Sequence, residues 1–533
     1  MKRKIKIAII IISLCILRFL ISYNLQSFFL RTLPYDDLLM IRQLRFLDKG
    51  KFLGDYEATT LVKGIVFPVF LFLCKWSNVS YSIVLTILYI IATLSFACSI
   101  RKIVRNDAFL FVLFGILLFN PISYSSDVFQ RMYRNTLSYT ELLFFLTAVV
   151  NIINSKKNNI LNYIFLGLIM STMLLTREDT IWTYLVLGIL INFKLYKKLK
   201  IKNIVFCLVP IIVIALNLNI ISYINYKHYG VYTYNELKKS HFKQAYQKVL
   251  QIKDDEKIDK VAIPKSTFYK LAENSKVFGF TKEEIDKKYL RLEDENGEIN
   301  NGNIIWFFRS WIYTKQKFKS GEEADKYFEN LSNELEILFE EGKLEKEMSS
   351  FSTFINIPSL NELKNLPKNL IDSIIYTSTY KNIKAFDEEE IKKEGIYTEY
   401  SMSYAVDYMD YHNAENLIEN NPIHFEIIRK IYKYFTIIYS AVSLIIYLKN
   451  IKIKDKLNFV LHILVAIYLC IIGGVAYTHT TAFTAIRYCY LANIYILQNL
   501  FILLNLYRVV EKKSVKLIES GELNDFSNNS SIQ

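Results

Sequence analysis

Long apolar runs decide what this chain can fold into. Stretches of about 18 or more mostly apolar residues recur from one end of the sequence to the other. Each matches the ~30 Å hydrocarbon core of a bilayer better than it matches a soluble core helix. With 52% hydrophobic and 15% aromatic residues, the chain reads as an all-α polytopic membrane protein. Ten candidate spans fall at 5–24, 80–99, 108–122, 137–154, 160–176, 181–194, 203–223, 429–448, 456–475 and 487–506. The opening MKRKIKIAIIIISLCIL resembles a secretion signal. Its apolar run continues through Phe19, Leu20 and Ile21 with no small-residue cleavage site, so a retained anchor is expected. Arg18 in that span either snorkels to the interface or points into a polar cavity.

Charge gives the expected orientation. The net +14 is uneven: residues 227–426 carry about −8, leaving about +22 on the rest. This is the pattern of basic loops in a membrane protein, not of a nucleic-acid partner. Lys2, Arg3 and Lys4 precede the first span. Arg101, Lys102 and Arg105 follow the second, Lys156 and Lys157 the fourth, and Lys194, Lys197, Lys198 and Lys200 the sixth. Lys449, Lys452, Lys454 and Lys456 follow the eighth, and Lys512, Lys513 and Lys516 the tenth. Every even span therefore ends in a basic loop, which puts both termini in the cytoplasm. The count requires that Lys63–Trp76, short and interrupted by Gly64 and Pro68, dips or lies along the membrane without crossing.

Four regions follow: an N-terminal transmembrane module with its first external loop at 1–226, an extracytoplasmic insertion at 227–426, C-terminal spans at 427–517 and a Ser/Asn-rich disordered tail at 518–533. The insertion reads as mainly helical. Ser320-Gly-Glu-Glu323, Thr281-Lys-Glu-Glu284 and Ser359-Leu-Asn-Glu362 have capping-box form. Ala324, Phe328, Leu331, Leu335 and Leu338 recur at helical spacing, with Gly342 as a stop. The six cysteines lie in apolar stretches with no C-x-x-C, and the histidines show no H-E-x-x-H, so neither a disulfide framework nor a metal motif is expected.

The chemistry-bearing residues gather in the loops of the non-cytoplasmic face. In PYDDLLMIRQLRFLDKG, Asp36 is placed to cap a short helix carrying Leu38, Ile41, Leu44 and Leu47, which Gly50 ends. Such a helix would lie on the bilayer surface with Asp36 and Asp37 at its edge. Partial desolvation there would raise a carboxyl toward the range of a general base. Asp127, Arg131 and Arg134 fall three and four apart, so one helix would align them as an ion-pair ladder or a phosphate clamp. Arg177, Glu178 and Asp179 interrupt two apolar runs, as a tight headgroup-level turn or as a polar site. Lys63 and Arg487 either anchor to lipid phosphate generally or bind a specific lipid-phosphate substrate. Tyr397, Tyr400, Tyr404, Tyr408 and Tyr411 form either a packing stripe or a sugar-stacking ladder.

The first loop PYDD…G…LG.Y…TLVKG…P, the short outer arginine loop and the TRED-x-x-W turn resemble the GT-C type of integral-membrane glycosyltransferases. That group includes protein O-mannosyltransferases and lipid A aminoarabinose transferases. Tyr229–Leu237 and Trp306-Phe-Phe-Arg309 are similar to an insertion of bacterial proteins of this kind. Lys63-Gly-Ile stands where a Lys-Pro-Pro type segment would be expected. The resemblance implies a bacterial cell-membrane enzyme that moves a sugar from a polyprenyl-phosphate donor to a cell-envelope acceptor with inversion. Asp36 or Asp37 would be the base, and Lys63, Arg131, Arg134, Arg177 and Arg487 would stand near the departing phosphate. No cofactor is required, although carboxylates beside phosphate are compatible with a divalent metal. The alternative is a transporter or flippase for a lipid-linked saccharide, which breaks no bond.

Overall fold

A computed structural model describes residues 2–23, 25, 27–30, 36–155, 159–197, 201–254, 258–290, 297–347, 358, 360–381, 383–384, 396–398 and 424–519. The chain is mainly helical. In order it forms α1 (Lys2–Tyr23), β1 (Phe28–Leu30), α2 (Asp37–Asp48), α3 (Val66–Trp76), α4 (Tyr81–Ile100), α5 (Asp107–Leu118), α6 (Arg134–Asn154), α7 (Ile160–Thr176), α8 (Trp182–Lys197) and α9 (Ile201–Tyr229). There follow α10 (His241–Val249), α11 (Lys265–Asn274), α12 (Lys282–Tyr289), α13 (Ile304–Gln316), α14 (Gly321–Glu340), α15 (Leu360–Leu363) and α16 (Leu366–Ser378). Strand β2 (Ile396–Thr398) pairs antiparallel with β1, before α17 (His424–Asn450), α18 (Lys456–Thr481) and α19 (Tyr488–Glu519). Of the tyrosine series, Tyr400 to Tyr411 lie outside the described residues, as do Ser359 of the third capping box and the tail from 520.

Among the described residues, seven helices are long and apolar enough to cross a membrane: α1, α4, α6, α9, α17, α18 and α19. The other three expected spans are shorter helices. Helix α5 has 12 residues, α7 has 17 and α8 has 16. Asn120-Pro121 accounts for the short α5. Asn120 Oδ1 accepts from the Ile122 amide at 3.1 Å and the Ser123 hydroxyl donates to the Asn120 carbonyl at 2.7 Å, so side chains here replace the helical ladder. Helix α3 has 11 residues. At 1.5 Å per residue that is about half of a hydrocarbon core.

Helices α1, α9 and α17 turn Ile9, Ile16, Ile212, Leu216, Ile431 and Ile438 outward, as a lipid-facing surface would. Helix α6 is the opposite case and is buried almost throughout. The helix ends sort into two groups. At one end the Asn154 amide donates to the Ser99 carbonyl at 3.2 Å, Lys456 to the Asn154 carbonyl at 3.2 Å, and Lys194 to the Ser155 carbonyl at 3.5 Å. Arg508 pairs there with Asp455 at 2.8 Å, and Lys512 donates to Asn450 Oδ1 at 2.9 Å. Lys194, Lys456, Arg508 and Lys512 thus share one end of the bundle. The opposite ends of α4, α6, α7 and α18 meet the first loop and the insertion.

A second apolar core lies at that opposite end. It joins Ala324, Phe328, Leu331, Leu335 and Leu338 of α14 to Phe307, Phe308, Trp311 and Ile312 of α13, and takes in Leu53, Tyr56, Leu61 and Val62 of the first loop. The capping box at Thr281 and Glu284 forms in full. At Ser320 the hydroxyl caps Glu323, but the Glu323 carboxylate reaches Lys319 instead. Gly342 after α14 and Gly50 after α2 have φ of 70° and 68°, the left-handed stop a helix end favours.

Arg18 does not snorkel. It is fully buried, with Nη1 donating to Ser22 Oγ at 2.5 Å, Nη2 to the Ser123 carbonyl at 2.6 Å, and its guanidinium 4.0 Å from the Tyr124 ring centre. The six cysteines are free thiols.

Candidate functional site

Helix α2 carries Asp37, Met40, Ile41, Gln43 and Leu44 on its buried face. Met40, Ile41 and Leu44 enter the main core, so this apolar face packs into the protein and not onto a bilayer surface. Asp36 occupies the N-cap position but its side chain makes no capping bond. It turns instead toward three donors. Lys63 Nζ stands 2.9 Å from Oδ2, Arg134 Nη2 donates to Oδ2 at 3.0 Å, and the Tyr133 hydroxyl donates to Oδ2 at 3.2 Å. Oδ1 receives none of the three.

Asp37 lies in a different environment one residue away. It is fully buried, and Arg131, 3% exposed, donates Nε to Oδ2 and Nη2 to Oδ1, both at 2.7 Å. Both carboxylate oxygens are occupied by one guanidinium, the strong bidentate form of the pair.

The arginines come from different elements. A π-turn covers Ser126–Gln130, Arg131 is extended and bridges to Phe28, and α6 begins at Arg134. The expectation of one helix face aligning Asp127, Arg131 and Arg134 is therefore corrected. The break in the helix is what lets Arg131 reach Asp37 while Arg134 reaches Asp36. Asp127 sits on the π-turn, and its side chain is outside the described residues.

Arg134 bridges two loops. Its Nη1 donates to Glu178 Oε2 at 2.7 Å, and Glu178 Oε1 accepts from the Gly64 amide at 3.1 Å. A Cβ on Gly64 would lie 1.8 Å from the Leu175 carbonyl oxygen, so only glycine permits this approach of the first loop to the α7–α8 turn. Arg177 pairs with Asp179, donates to Asn135 Oδ1 and lies 5.9 Å from the Tyr490 ring centre. Lys63 also lies 4.7 Å from the ring centre of Trp306, at the start of α13. Arg487 is exposed, on the loop before α19 and three residues ahead of Tyr490.

The structure thus brings Asp36, Asp37, Lys63, Arg131, Arg134, Arg177, Glu178 and Asp179 to one end of the bundle. The ion pairs match each of the four cations with a carboxylate. An incoming anion must compete with those carboxylates. Burial alone would raise the Asp36 carboxyl, but Lys63 and Arg134 outweigh it and hold it down at about 2. The expected upward shift is therefore reversed. Glu178 is also held below its ordinary range, because Arg134 and then Lys63 outweigh burial. Tyr133, by burial and by its place beside Asp36, is pushed up and stays a donor. Among the described residues no group of three His, Cys, Asp or Glu is placed to hold a metal ion.

Sequence reasoning passed over Tyr133, Asn135, Tyr490 and Glu141. The first three are ordinary loop or helix-end residues with no pattern of their own. Glu141 had a signal, as the lone acid inside an apolar run. A second buried network was also missed. Arg309 pairs with Glu236 and donates Nε to the Ala58 carbonyl at 2.6 Å. Tyr56 donates to Glu236 Oε1 at 2.6 Å. Comparison of the chain with family models, with curated proteins and with solved structures finds no match.

Proposed function

We propose that this chain is a membrane-embedded glycosyltransferase. It moves a sugar from a polyprenyl-phosphate donor to an acceptor hydroxyl of the cell envelope, with inversion at the anomeric carbon. The observation that carries the reading is the asymmetry of Asp36. Its cations and its tyrosine all meet Oδ2, which leaves Oδ1 to accept a hydroxyl proton. Asp37 is a poor candidate for that task, because Arg131 holds both its oxygens in a buried pair.

In this reading the acceptor O–H gives its proton to Asp36 Oδ1 as its oxygen bonds to the anomeric carbon. The bond from that carbon to the phosphate oxygen breaks, and its electron pair leaves with the lipid phosphate. Lys63 and Arg134, 11% and 10% exposed, are the cations placed to take that charge. With Asp36 held at about 2, the resting carboxylate is a weak base. Phosphate that draws Lys63 and Arg134 away from Asp36 makes it a stronger one, so donor binding would switch on the base.

The gathering of basic loops at the far end of the bundle supports a site on the non-cytoplasmic side. In this reading the ten apolar segments cross, α5 being continued across by the buried turns at Pro121–Tyr124 and Ser126–Gln130, both termini are cytoplasmic, and the insertion at 227–426 faces the acceptor in a bacterial cell membrane. The test is a transfer assay with a polyprenyl-phosphate sugar in reconstituted vesicles. Asp36→Asn should lose turnover while the protein stays folded, and full turnover in that variant removes the proposed base. Movement of the intact donor across the vesicle without transfer would instead assign a flippase.

A further inference from the structure

The deepest carboxyl in α6 has no part in the ion-pair cluster. Glu141 is 4% exposed. Its Oε1 accepts one hydrogen bond, from the Thr176 hydroxyl at 2.8 Å, and Oε2 meets no partner. Thr172 is its other polar neighbour. No cation faces it among the described residues. Among the described residues the other buried carboxylates are matched: Asp37 by Arg131, Glu236 by Arg309, and Glu298 by the Lys265 amide.

The elements packed against α6 supply no counter-charge at this level. Helix α4 brings Tyr81, Tyr89 and Cys98, and α7 brings only Tyr163. Helix α19 brings Cys489, Tyr490 and Tyr495, with Arg508, Glu511 and Lys512 at the basic end. Helix α18 brings Tyr468, Tyr477 and His479, with Lys456 and His462 toward the basic end, and Trp182 begins α8. The π-turn brings Asp127, followed by Arg131, which Asp37 occupies. Arg134 lies seven residues back on α6, about 10 Å along the axis, and is held by Asp36 and Glu178. Arg177 is held by Asp179.

An ionised carboxylate whose polar neighbours are only the neutral hydroxyls of Thr176 and Thr172, with no cation, is far costlier when buried than the neutral acid. We propose that Glu141 is a proton-binding site, a carboxyl that carries its proton on Oε2 and stores it behind the ion-pair cluster. Two other buried atoms without a partner, Asn135 Nδ2 and Arg134 Nε, lie on the first turn of the same helix. They make a polar stripe from the cluster inward, with buried Ser138 between. A proton held there leaves Arg134 and Arg177 uncontested by a further carboxylate, so protonation of Glu141 favours an anion at the cluster. This inference stands on burial and pairing at Glu141 and is independent of the transferase reading.

Infrared spectroscopy of the purified full-length protein at neutral pH tests it. The expected result is a protonated-carboxyl C=O band in the wild-type protein that is lost in Glu141→Gln. A wild-type protein with no such band overturns the proposal, and so does a folded Glu141→Gln protein that keeps it. Should Glu141→Gln fail to fold, Glu141→Asp is the second variant: a band displaced in frequency supports the assignment and an unmoved band overturns it. Thr176→Val removes only the donor to Oε1 and should leave the band in place.

Discussion

Asp37 gives both carboxylate oxygens to Arg131, at 2.7 Å each, in a pair that solvent scarcely reaches. Asp36, its neighbour in sequence, keeps a side chain 23% exposed and one oxygen without a donor among the described residues. On the proposed reading, the two adjacent acids divide into a structural role for Asp37 and a chemical one for Asp36. Removing one partner of a buried pair strands the other charge, at a cost of about 3–5 kcal/mol. Asp37→Ala should therefore lower the apparent melting temperature sharply or prevent folding. Asp36→Asn should stay folded, with a smaller fall in melting temperature than Asp37→Ala, and lose turnover by about a hundredfold or more. Thermal melts and transfer assays on the same preparations check both expectations. A fully active, stable Asp37→Ala protein would contradict the division.

Acid titration gives an independent check on Asp36. Its folded-state value of about 2 lies below the ordinary aspartate value of about 3.9. Its contribution to stability is therefore complete above about pH 4 and is lost only as pH falls through about 2. The kcat/KM profile, which reports the free enzyme, should show no acid limb from Asp36 in the neutral or mildly acidic range. In Lys63→Met the carboxyl loses a cation, and an acid limb should move up toward the ordinary carboxylate range. A rate–pH profile of the two proteins measures this, and an unmoved limb would show that Lys63 does not govern Asp36.

The parts legible in the sequence were those written locally. Helix period and left-handed stops gave α2 its end at Gly50 and α14 its core face from Ala324 to Leu338. The long apolar runs gave the membrane-length helices. Partner choice was not local. Arg131 and Arg134 are separated by a break in which Arg131 is extended and the Met132 amide donates to the Phe28 carbonyl, and spacing alone read them as one helix face. The direction of the Asp36 shift depended on Lys63 and Arg134, two contacts closed only in three dimensions. The pairing of Glu236 with Arg309 across 73 positions had no signature short of the fold itself.

Gly64 fastens the first loop to the turn after α7. A methyl group there would overlap the Leu175 carbonyl and break the amide contact to Glu178. Glu178 would then no longer stand where Arg134 can bridge it to Asp36. Gly64→Ala should reduce turnover at least tenfold and lower the melting temperature. Gly50→Ala is the matched control, since nothing lies near its missing Cβ and only its φ of 68° is strained. It should cost about 1 kcal/mol of stability and leave activity intact. Equal effects of the two substitutions would mean that backbone conformation, and not the close approach, is what Gly64 supplies.

The Glu236–Arg309 pair joins the insertion to the same first loop. Arg309 also holds the Ala58 carbonyl, Tyr56 reaches Glu236, and the Tyr56 and Tyr313 hydroxyls stand 2.6 Å apart. Both charges are almost completely buried, so each single replacement leaves its partner stranded. Glu236→Gln and Arg309→Met should each destabilise by about 3–5 kcal/mol, and the double variant by clearly less than their sum. Lys63 follows this loop and touches both Asp36 and Trp306, so loosening the pair should also expose 51–63 to protease and reduce turnover together. A double-mutant cycle read by thermal melting, with limited proteolysis beside it, distinguishes this clamp from two independent contributions. Additive losses with an unchanged cleavage pattern would separate the insertion from control of the site.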